Sequence, residues 1–338
     1  MTDIGSVLAA VVSCGVTGLL GFFLIPYLRR LKAGQTIREV GPTWHKSKQG
    51  TPVMGGLMFI GGILAALLTA WLTLMAMHDH SVPASEKAKM AGGVLMALMF
   101  GFIGFMDDYI KVVKKRNLGL TVRQKLAMQI LAGGIYLLVA YLAGDRATTM
   151  DVPFFAVQWR LGWFYWPFSL FIIVGAVNSV NLTDGVDGLC GSVTFVAAIA
   201  FMLCAKVLSF AGFTILSAAL AGGCLGFLMW NLHPAKIFMG DTGSLFLGGM
   251  VCAIAFGIRK PLLLVPIGII YICETMSDII QITSFKSTGR RVFKMSPIHH
   301  HFELCGWSEN KIVTVFSLVT AVGSLAAVLW TALDMGLI

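Results

Sequence analysis

The sequence predicts an all-α integral membrane protein with ten transmembrane helices, and three observations support this fold class. The first is composition: 57% of the 338 residues are hydrophobic, only 12% are charged, and the mean hydropathy is +0.84. Soluble domains are about 45–50% apolar and about 25% charged. The others are the length of the apolar runs and the placement of lysine and arginine. Together they exclude a soluble globule, a disordered chain and a disulfide scaffold.

Ten apolar runs are long enough to cross a bilayer core, which requires about 20 helical residues. They cover residues 4–28, 53–77, 90–106, 126–143, 168–182, 189–208, 213–231, 243–258, 261–283 and 311–333. Basic residues follow the first run and do not precede it, which favours a retained helix over a cleaved signal peptide. We therefore expect residues 1–338 to form a single polytopic membrane domain.

Basic residues are concentrated in alternate loops. Eighteen of the 25 lie within residues 29–50, 107–125, 230–244 and 284–311. The other seven are Lys87, Lys89, Arg146, Arg160, Lys206, Arg259 and Lys260. The positive-inside rule places the richer loops in the cytoplasm and both termini on the periplasmic or extracellular side. These loops account for the net charge of +9, so the charge does not indicate a nucleic-acid partner.

The predicted outer loop 144–167 is rich in aromatic residues, which is typical of a belt at the membrane interface. Its stretch from Phe154 to Arg160 alternates weakly and is compatible with a short hairpin. In the seventh run, Gly222 and Gly226 form a small-xxx-small step that favours close helix packing.

The first polar motif runs from Lys46 to Gly56 and combines two lysines with glycines and a proline. Such a loop suits close backbone approach to a phosphorylated ligand. The alternative is a basic loop before a flexible helix start.

The second motif, Asp107-Asp108-Tyr109, follows the third run and precedes several lysines. Adjacent carboxylates repel one another, so we expect them to have a cation, a basic partner or a catalytic role.

The third motif, from Asn178 to Asp187, holds two acids and two amides but no basic residue. We expect it to hydrogen-bond a polar ligand such as a nucleoside. The fourth motif, from Asn231 to Ser244, carries Asp241 where a new helix is predicted to begin. Glycines near this acid would let it reach a metal ion, and the alternative is a helix N-cap.

The fifth motif contains three consecutive histidines, His299, His300 and His301. Consecutive histidines on a regular helix cannot all face one metal ion. We expect one or two of them to contact phosphate or orient a carboxylate. Glu274 and Asp278 lie four residues apart in the ninth run, so they share a helix face and are functional candidates. A buried partnership with loop lysines or arginines is the alternative.

These motifs resemble those of the MraY, or phospho-N-acetylmuramoyl-pentapeptide-transferase, family within the polyprenyl-phosphate N-acetylhexosamine-1-phosphate transferases. The resemblance extends over nearly the whole chain. The stretches that carry it are Gly50–Gly56, Asp107–Tyr109, Asn181–Asp187, Phe238–Asp241 and Ser296–His301. The histidine stretch is the most specific. One departure is Val53, which stands where the family usually has threonine, so we expect no hydroxyl contact there.

The resemblance implies a Mg²⁺-dependent homodimer of the bacterial cytoplasmic membrane, with ten helices and a cleft at the cytoplasmic face. The reaction it implies transfers phospho-MurNAc-pentapeptide from UDP-MurNAc-pentapeptide to undecaprenyl phosphate, giving lipid I and UMP in peptidoglycan synthesis. The implied catalytic residues are Asp107, Asp108, Asp241 and His301, with Asp241 as the metal ligand. The implied substrate-binding residues are Lys48, Lys111, Lys115, Asn178, Asn181, Asp184, Asp187, Asn231, Phe238, Gly240, His299 and His300.

Two mechanisms remain open at this point. The lipid phosphate could attack the diphosphate directly, with Asp107 positioning or deprotonating it, or Asp108 could form a covalent aspartyl-phosphate. Two other functions are considered. One is a transferase that uses UDP-N-acetylhexosamine. The other is a proton-coupled transporter, which the gathering of acids at predicted helix ends disfavours, because transporters bind near the membrane midplane.

Overall fold

The computed structural model describes residues 2–31, 50–78, 81–112, 119–155 and 157–338. Its helices are α1 (Thr2–Arg30), α2 (Gly56–Ala76), α3 (Ala84–Val112), α4 (Val122–Leu142), α5 (Tyr165–Thr183), α6 (Leu189–Val207), α7 (Ala211–Asn231), α8 (Gly240–Gly257), α9 (Leu264–Ile267), α10 (Ile269–Thr288), α11 (Ile298–Leu304) and α12 (Glu309–Asp334). Two strands, β1 (Thr149–Val152) and β2 (Val157–Arg160), and two short 3-10 helices, Gly162–Phe164 and Pro261–Leu263, complete the described elements. The predicted all-α membrane class is confirmed.

Nine helices in the described part of the chain are long and apolar enough to cross a membrane. A tenth span results if Pro261–Ile267 and α10 are counted together, although they are bent by 81° at Gly268. The expectation of one continuous helix over 261–283 is therefore wrong. Pro266 has no N–H group and so removes a hydrogen bond from the turn just before this bend, whereas Pro261 only begins the preceding 3-10 helix.

Helix α3 continues beyond its apolar run, so the adjacent acids Asp107 and Asp108 lie inside the helix and not after it. The sequence predicts an end near residue 106, but the helix extends to Val112. Asp107 and Asp108 therefore lie within the helix, and Lys111 pairs with Asp107 one turn on at 2.5 Å. Such i,i+4 pairs stabilise helices, which explains why the polar residues continue the helix.

Helices α7 and α8 form the centre of the bundle, since 89% of each apolar window is buried inside the protein. Their small residues permit this burial. A Cβ atom at Gly222 would collide with the backbone of Ala10 in α1, and one at Gly226 would collide with the backbone at Cys14. The predicted packing role of this glycine pair is thus confirmed.

A hairpin pairs β1 with β2, with Met150 opposite Trp159. Strand β2 lies within the stretch from Phe154 to Arg160 in which the sequence suggested a hairpin, and β1 precedes that stretch. Phe154 adopts a positive φ of 69° in the turn between the strands. Lys260 fastens the hairpin to the end of α12, since its Nζ lies 2.9 Å from Asp151 Oδ2 and 2.7 Å from Asp334 Oδ2.

We predict that Gly222→Ala lowers stability by about 1–3 kcal/mol, because the new methyl group would force α7 away from α1. Gly134→Ala in α4 is the matched control, because nothing lies within 4 Å of its added Cβ atom. Thermal unfolding in detergent should show a lower midpoint for the first variant and an unchanged or higher one for the second. Equal midpoints would contradict this packing.

Candidate active site

Asp241 is the centre of a polar cluster at the start of α8. Its Oδ2 atom accepts hydrogen bonds from Lys125 Nζ at 2.8 Å and Lys111 Nζ at 3.4 Å. Its Oδ1 atom accepts one from Asn181 Nδ2 at 3.0 Å. The alternative of a helix N-cap is wrong, because Met239 occupies that position and Asp241 lies in the first turn. The side chain is therefore directed at α3, α4 and α5, and not at its own helix.

Asp108 supplies the cap that Asp241 does not. Its carboxylate accepts hydrogen bonds from the backbone N–H groups of Asp241 at 3.2 Å and Thr242 at 2.9 Å, and from Thr242 Oγ1 at 2.6 Å. The side chain is buried. A carboxylate at this end of a helix is favoured by the helix dipole and satisfies otherwise unpaired donors. Asp108 thus fixes the start of α8 from the end of α3.

Gly240 explains how these two elements come so close. It has a φ of 70°, and a Cβ atom there would lie 2.5 Å from Asp108 Oδ2. Any other residue would be strained and would displace the carboxylate. The structure therefore requires glycine at position 240 whether or not this residue also binds substrate, as the sequence predicted.

Asp107 is buried and lies on the side of Lys111. Besides the ion pair with that lysine, its Oδ1 atom accepts a hydrogen bond from Leu120 N at 2.6 Å. Lys111 therefore bridges Asp107 and Asp241. The structure brings together three of the four predicted catalytic residues, because Asp107, Asp108 and Asp241 share one network.

The loop between α5 and α6 adds two further carboxyl groups, Asp184 and Asp187. Burial raises the pKa of the Asp184 carboxyl to about 8, and the charges of Asp241, Asp108 and Asp187 act in the same direction. A dense set of carboxylates facing two lysines favours cations. Carboxylate oxygens are the protein ligands that Mg²⁺ prefers, so the donor set fits this ion, and Asp241 is the candidate ligand.

Asp187 and Asn231 are used to shape this loop. Asp187 Oδ2 accepts hydrogen bonds from Ala235 N at 3.0 Å and pairs with His233 Nδ1 at 3.1 Å. Asn231 Oδ1 accepts one from Gly188 N at 3.1 Å. These contacts join the third and fourth sequence motifs into one surface.

Glu309 joins the same surface and accepts a hydrogen bond from Asp187 N at 3.1 Å. Asp187, His233 and Glu309 have ligand atoms within 4.8 Å of one another, so they form a second group with metal-binding chemistry. Their mutual contacts also explain this group as a hydrogen-bonded link between the loop and α12.

Asn178 lies a turn away from the cluster and has another partner. Its side-chain amide exchanges hydrogen bonds with that of Gln129, at 2.8 Å and 3.3 Å. This pair connects α4 and α5 about one helical turn away from Asn181. Asn178 therefore supports the helices that carry Lys125 and Asn181.

The glycines of the first motif contact protein backbone. Gly55 N donates to Phe238 O at 2.8 Å, Gly56 N donates to Met239 O at 3.1 Å, and Phe238 N donates to Pro52 O at 2.9 Å. The motif thus aligns the segment before Asp241, and Phe238 is half-buried beside it. Lys48 and Lys115, predicted to bind substrate, lie outside the described residues.

The three histidines have three different partners. His299 Nδ1 lies 3.0 Å from Glu274 Oε2, His300 Nδ1 lies 2.6 Å from Glu303 Oε2, and His301 Nδ1 accepts a hydrogen bond from Lys294 N at 3.1 Å. This agrees with the expectation that they do not share one metal ion. Within the described ranges, Glu274 pairs with a histidine and not with a lysine or arginine of the loops. The hydrogen bonds described for His301 stay within its own loop.

Sequence reasoning left two members of the cluster unassigned. Lys125 gave only the weak signal of a cation at the start of α4. Ser244 lies one turn after Asp241 and receives a hydrogen bond from Asn181 Nδ2 at 2.8 Å. Nothing in the local pattern distinguished this serine from other small polar residues.

Comparison with known proteins gives a consistent result. The family described as Glycosyl transferase family 4 matches residues 90–258. A relative named phospho-N-acetylmuramoyl-pentapeptide-transferase from Desulforamulus reducens is 48% identical over 95% of this chain and 94% of its own length. Proteins of the same name from Heliobacterium modesticaldum and Clostridium perfringens are 46% and 45% identical, each over 95% of this chain and 96% and 97% of their own lengths.

We predict that Asp184→Asn raises thermal stability, and more so as the pH increases. The pKa of this carboxyl is raised from 3.8 to about 8 in the folded protein, so the group destabilises the fold increasingly as the pH rises between these values. Unfolding midpoints of both proteins should be measured with a chelator at about pH 5 and about pH 8. A gain that is absent, or larger at the lower pH, would contradict the burial of this charge.

Proposed function

The chain belongs to the phospho-N-acetylmuramoyl-pentapeptide-transferases of glycosyl transferase family 4, and we propose that it has the activity for which they are named. It would transfer phospho-MurNAc-pentapeptide from UDP-MurNAc-pentapeptide to undecaprenyl phosphate, giving lipid I and UMP. The observation that carries this proposal is the network in which Asp107, Asp108 and Asp241 meet Lys111 and Lys125. Both substrates are anionic, and their reaction requires this combination of cations and metal-binding oxygens.

Mg²⁺ is the proposed cofactor, with Asp241 as its protein ligand. The ion would offset the negative charge of the diphosphate, and it commonly takes one or two carboxylates together with substrate phosphates. Asp241 Oδ2 already attracts two ammonium groups, so its position suits a cation. Asn181 holds the other carboxylate oxygen and thereby fixes the orientation of the side chain.

Lys111 and Lys125 are proposed to neutralise phosphate oxygens, with Lys48 and Lys115 as further candidates. The lipid phosphate is largely ionised at neutral pH, because the second pKa of a phosphate monoester is about 6. It therefore needs positioning more than deprotonation. Asp107, next to Lys111 and the Leu120 amide, is the residue proposed to do this.

Direct attack by the lipid phosphate is favoured over a covalent aspartyl intermediate. Asp108 would be the nucleophile in the covalent route, but its carboxylate accepts three hydrogen bonds from the start of α8. Hydrogen bonds to the charged form lower nucleophilicity, and attack would break the cap that holds Asp241. Asp108 is therefore proposed to act by positioning Asp241.

The nucleotide is proposed to bind beside the loop that carries Asp184 and Asp187. Phe238 offers an aromatic face for the uracil ring, and the segment around it is fixed by backbone hydrogen bonds. His300 and His301 are proposed to face the phosphate or sugar side, whereas His299 is buried. Asn178, Asn231 and Gly240 would serve by holding these elements in place.

The chain is a multi-pass membrane transferase, and the inner bacterial membrane, a cytoplasmic active site and a homodimer belong to the proposal. Cys305 tests the orientation, because it is exposed in the loop after the histidines while Cys190, Cys204, Cys224 and Cys252 are buried. We predict that an impermeant maleimide labels Cys305 only after cells are permeabilised. Labelling in intact cells would reverse the orientation.

The substrate assignment is tested by UMP release from purified protein with undecaprenyl phosphate. UDP-MurNAc-pentapeptide should support turnover, and UDP-N-acetylglucosamine should not. The reverse preference would assign the chain to the transferases of N-acetylhexosamine phosphate. Absence of release with both donors would contradict the proposed function.

We predict that Asp241→Asn leaves the protein folded but almost inactive, with little recovery in excess Mg²⁺. Asparagine keeps an oxygen for Asn181 and leaves the cap from Asp108 unchanged, but it loses the charge that attracts a cation. Thermal stability and UMP release should be measured across a Mg²⁺ titration. Asp334→Asn at the end of α12, which removes the same charge from a pair with Lys260 away from the site, is the matched control. Near-normal turnover of Asp241→Asn would remove Asp241 as the metal ligand.

A further inference from the structure

Glu274 and His299 form a buried pair that the proposed chemistry does not use. Glu274 is 0% exposed and His299 is 1% exposed, although both carry ionisable side chains. Glu274 Oε2 lies 3.0 Å from His299 Nδ1 and 3.4 Å from the backbone N of His299. One carboxylate oxygen therefore fixes both the backbone and the ring of the same residue.

The opposite edge of the imidazole faces the loop that carries Asp184 and Asp187. A Cβ atom at Gly185 would collide with Nε2, Cε1 and Cδ2 of His299, so the ring packs directly against the loop backbone. Among the described residues, no group hydrogen-bonds to His299 Nε2. The ring thus links α10 to this acidic loop by contact on one edge and by a hydrogen bond on the other.

The same loop is held from its other end. Asp187 contacts Ala235 and His233, and its backbone N–H donates to Glu309. Removing the support under Gly185 would free the part of the loop next to Asp184 while these contacts remain. A buried carboxylate is costly in an apolar helix, so its presence there indicates a function beyond packing.

We propose that Glu274 is a positioning residue. Through His299, it fixes the position of the backbone of the acidic loop 184–188 at the nucleotide site. This proposal rests on the proposed function for the identity of the nucleotide. The carboxylate holds Nδ1 toward α10, which presents the Nε2 edge to Gly185. Contacts that orient metal-ligating histidines typically alter affinity or activity by about 10–100-fold, and we expect the Glu274–His299 contact to act at the lower end of this range.

The test compares Glu274→Leu with Glu274→Gln, because glutamine keeps an oxygen acceptor for the Nδ1 hydrogen. Glu274→Leu should raise the KM for UDP-MurNAc-pentapeptide about tenfold and leave the KM for undecaprenyl phosphate unchanged. Glu274→Gln should restore most of the affinity. Thr275→Val is the matched control, since it removes the neighbouring 2.7 Å hydrogen bond from α10 to Ser179 and leaves the pair intact.

Two further measurements separate positioning from stability. In a His299→Ala background, Glu274→Leu should cause no additional rise in KM, because both changes remove the same contact. Hydrogen exchange of residues 184–188 should be faster in Glu274→Leu and unchanged in Thr275→Val. This readout needs no turnover, so an inactive wild type would contradict the proposed function while still testing the loop. Unchanged exchange together with unchanged KM values would overturn the positioning role.

Discussion

The arrangement of the site depends on the hydrogen bonds between Asp108 and the first turn of α8. This helix is one of the two most deeply buried in the bundle, and Asp108 and Thr242 at its start are themselves buried. A carboxylate from α3 satisfies two of them and the Thr242 hydroxyl. Because unsatisfied donors in an apolar setting cost several kcal/mol, α3 and α8 are fixed relative to each other. Asp241 is then directed at Lys125 and Asn181.

This constraint also explains why acids and lysines occur together at the helix ends. Carboxylates placed so close would repel one another. Lys111 bridges Asp107 and Asp241, Lys125 also binds Asp241, and Asp108 is held by the first turn of α8. The lysines come from α3 and α4, and both side chains reach the start of α8. An anionic diphosphate entering this network would find two ammonium groups and a set of metal-binding oxygens already oriented. Such preorganisation is the main source of electrostatic catalysis.

Much of this architecture follows from the sequence, but the contacts inside the site do not. Apolar runs predicted the spans because a bilayer imposes their length, and the motifs identified the aspartates because charged groups are rare in such a chain. The cap by Asp108 joins positions 133 and 134 residues apart, which no local pattern records. Gly55 and Gly56 suggested a phosphate-binding loop, but their N–H groups bind the backbone of Phe238 and Met239. Glycine permits close approach to a phosphate and to another backbone alike, so the sequence could not distinguish the two. The sequence around Glu274 likewise did not indicate its partner His299, which lies 25 residues further along the chain.

Exchange of labelled UMP into UDP-MurNAc-pentapeptide tests most directly whether Asp108 only holds the start of α8 or also acts as a nucleophile. The measurement uses delipidated protein with Mg²⁺ and no undecaprenyl phosphate. If Asp108 only holds the start of α8 and the lipid attacks directly, no label enters the nucleotide substrate until the lipid is added. Exchange without the lipid would show that a group on the protein accepts phospho-MurNAc-pentapeptide, and it would contradict this account of Asp108.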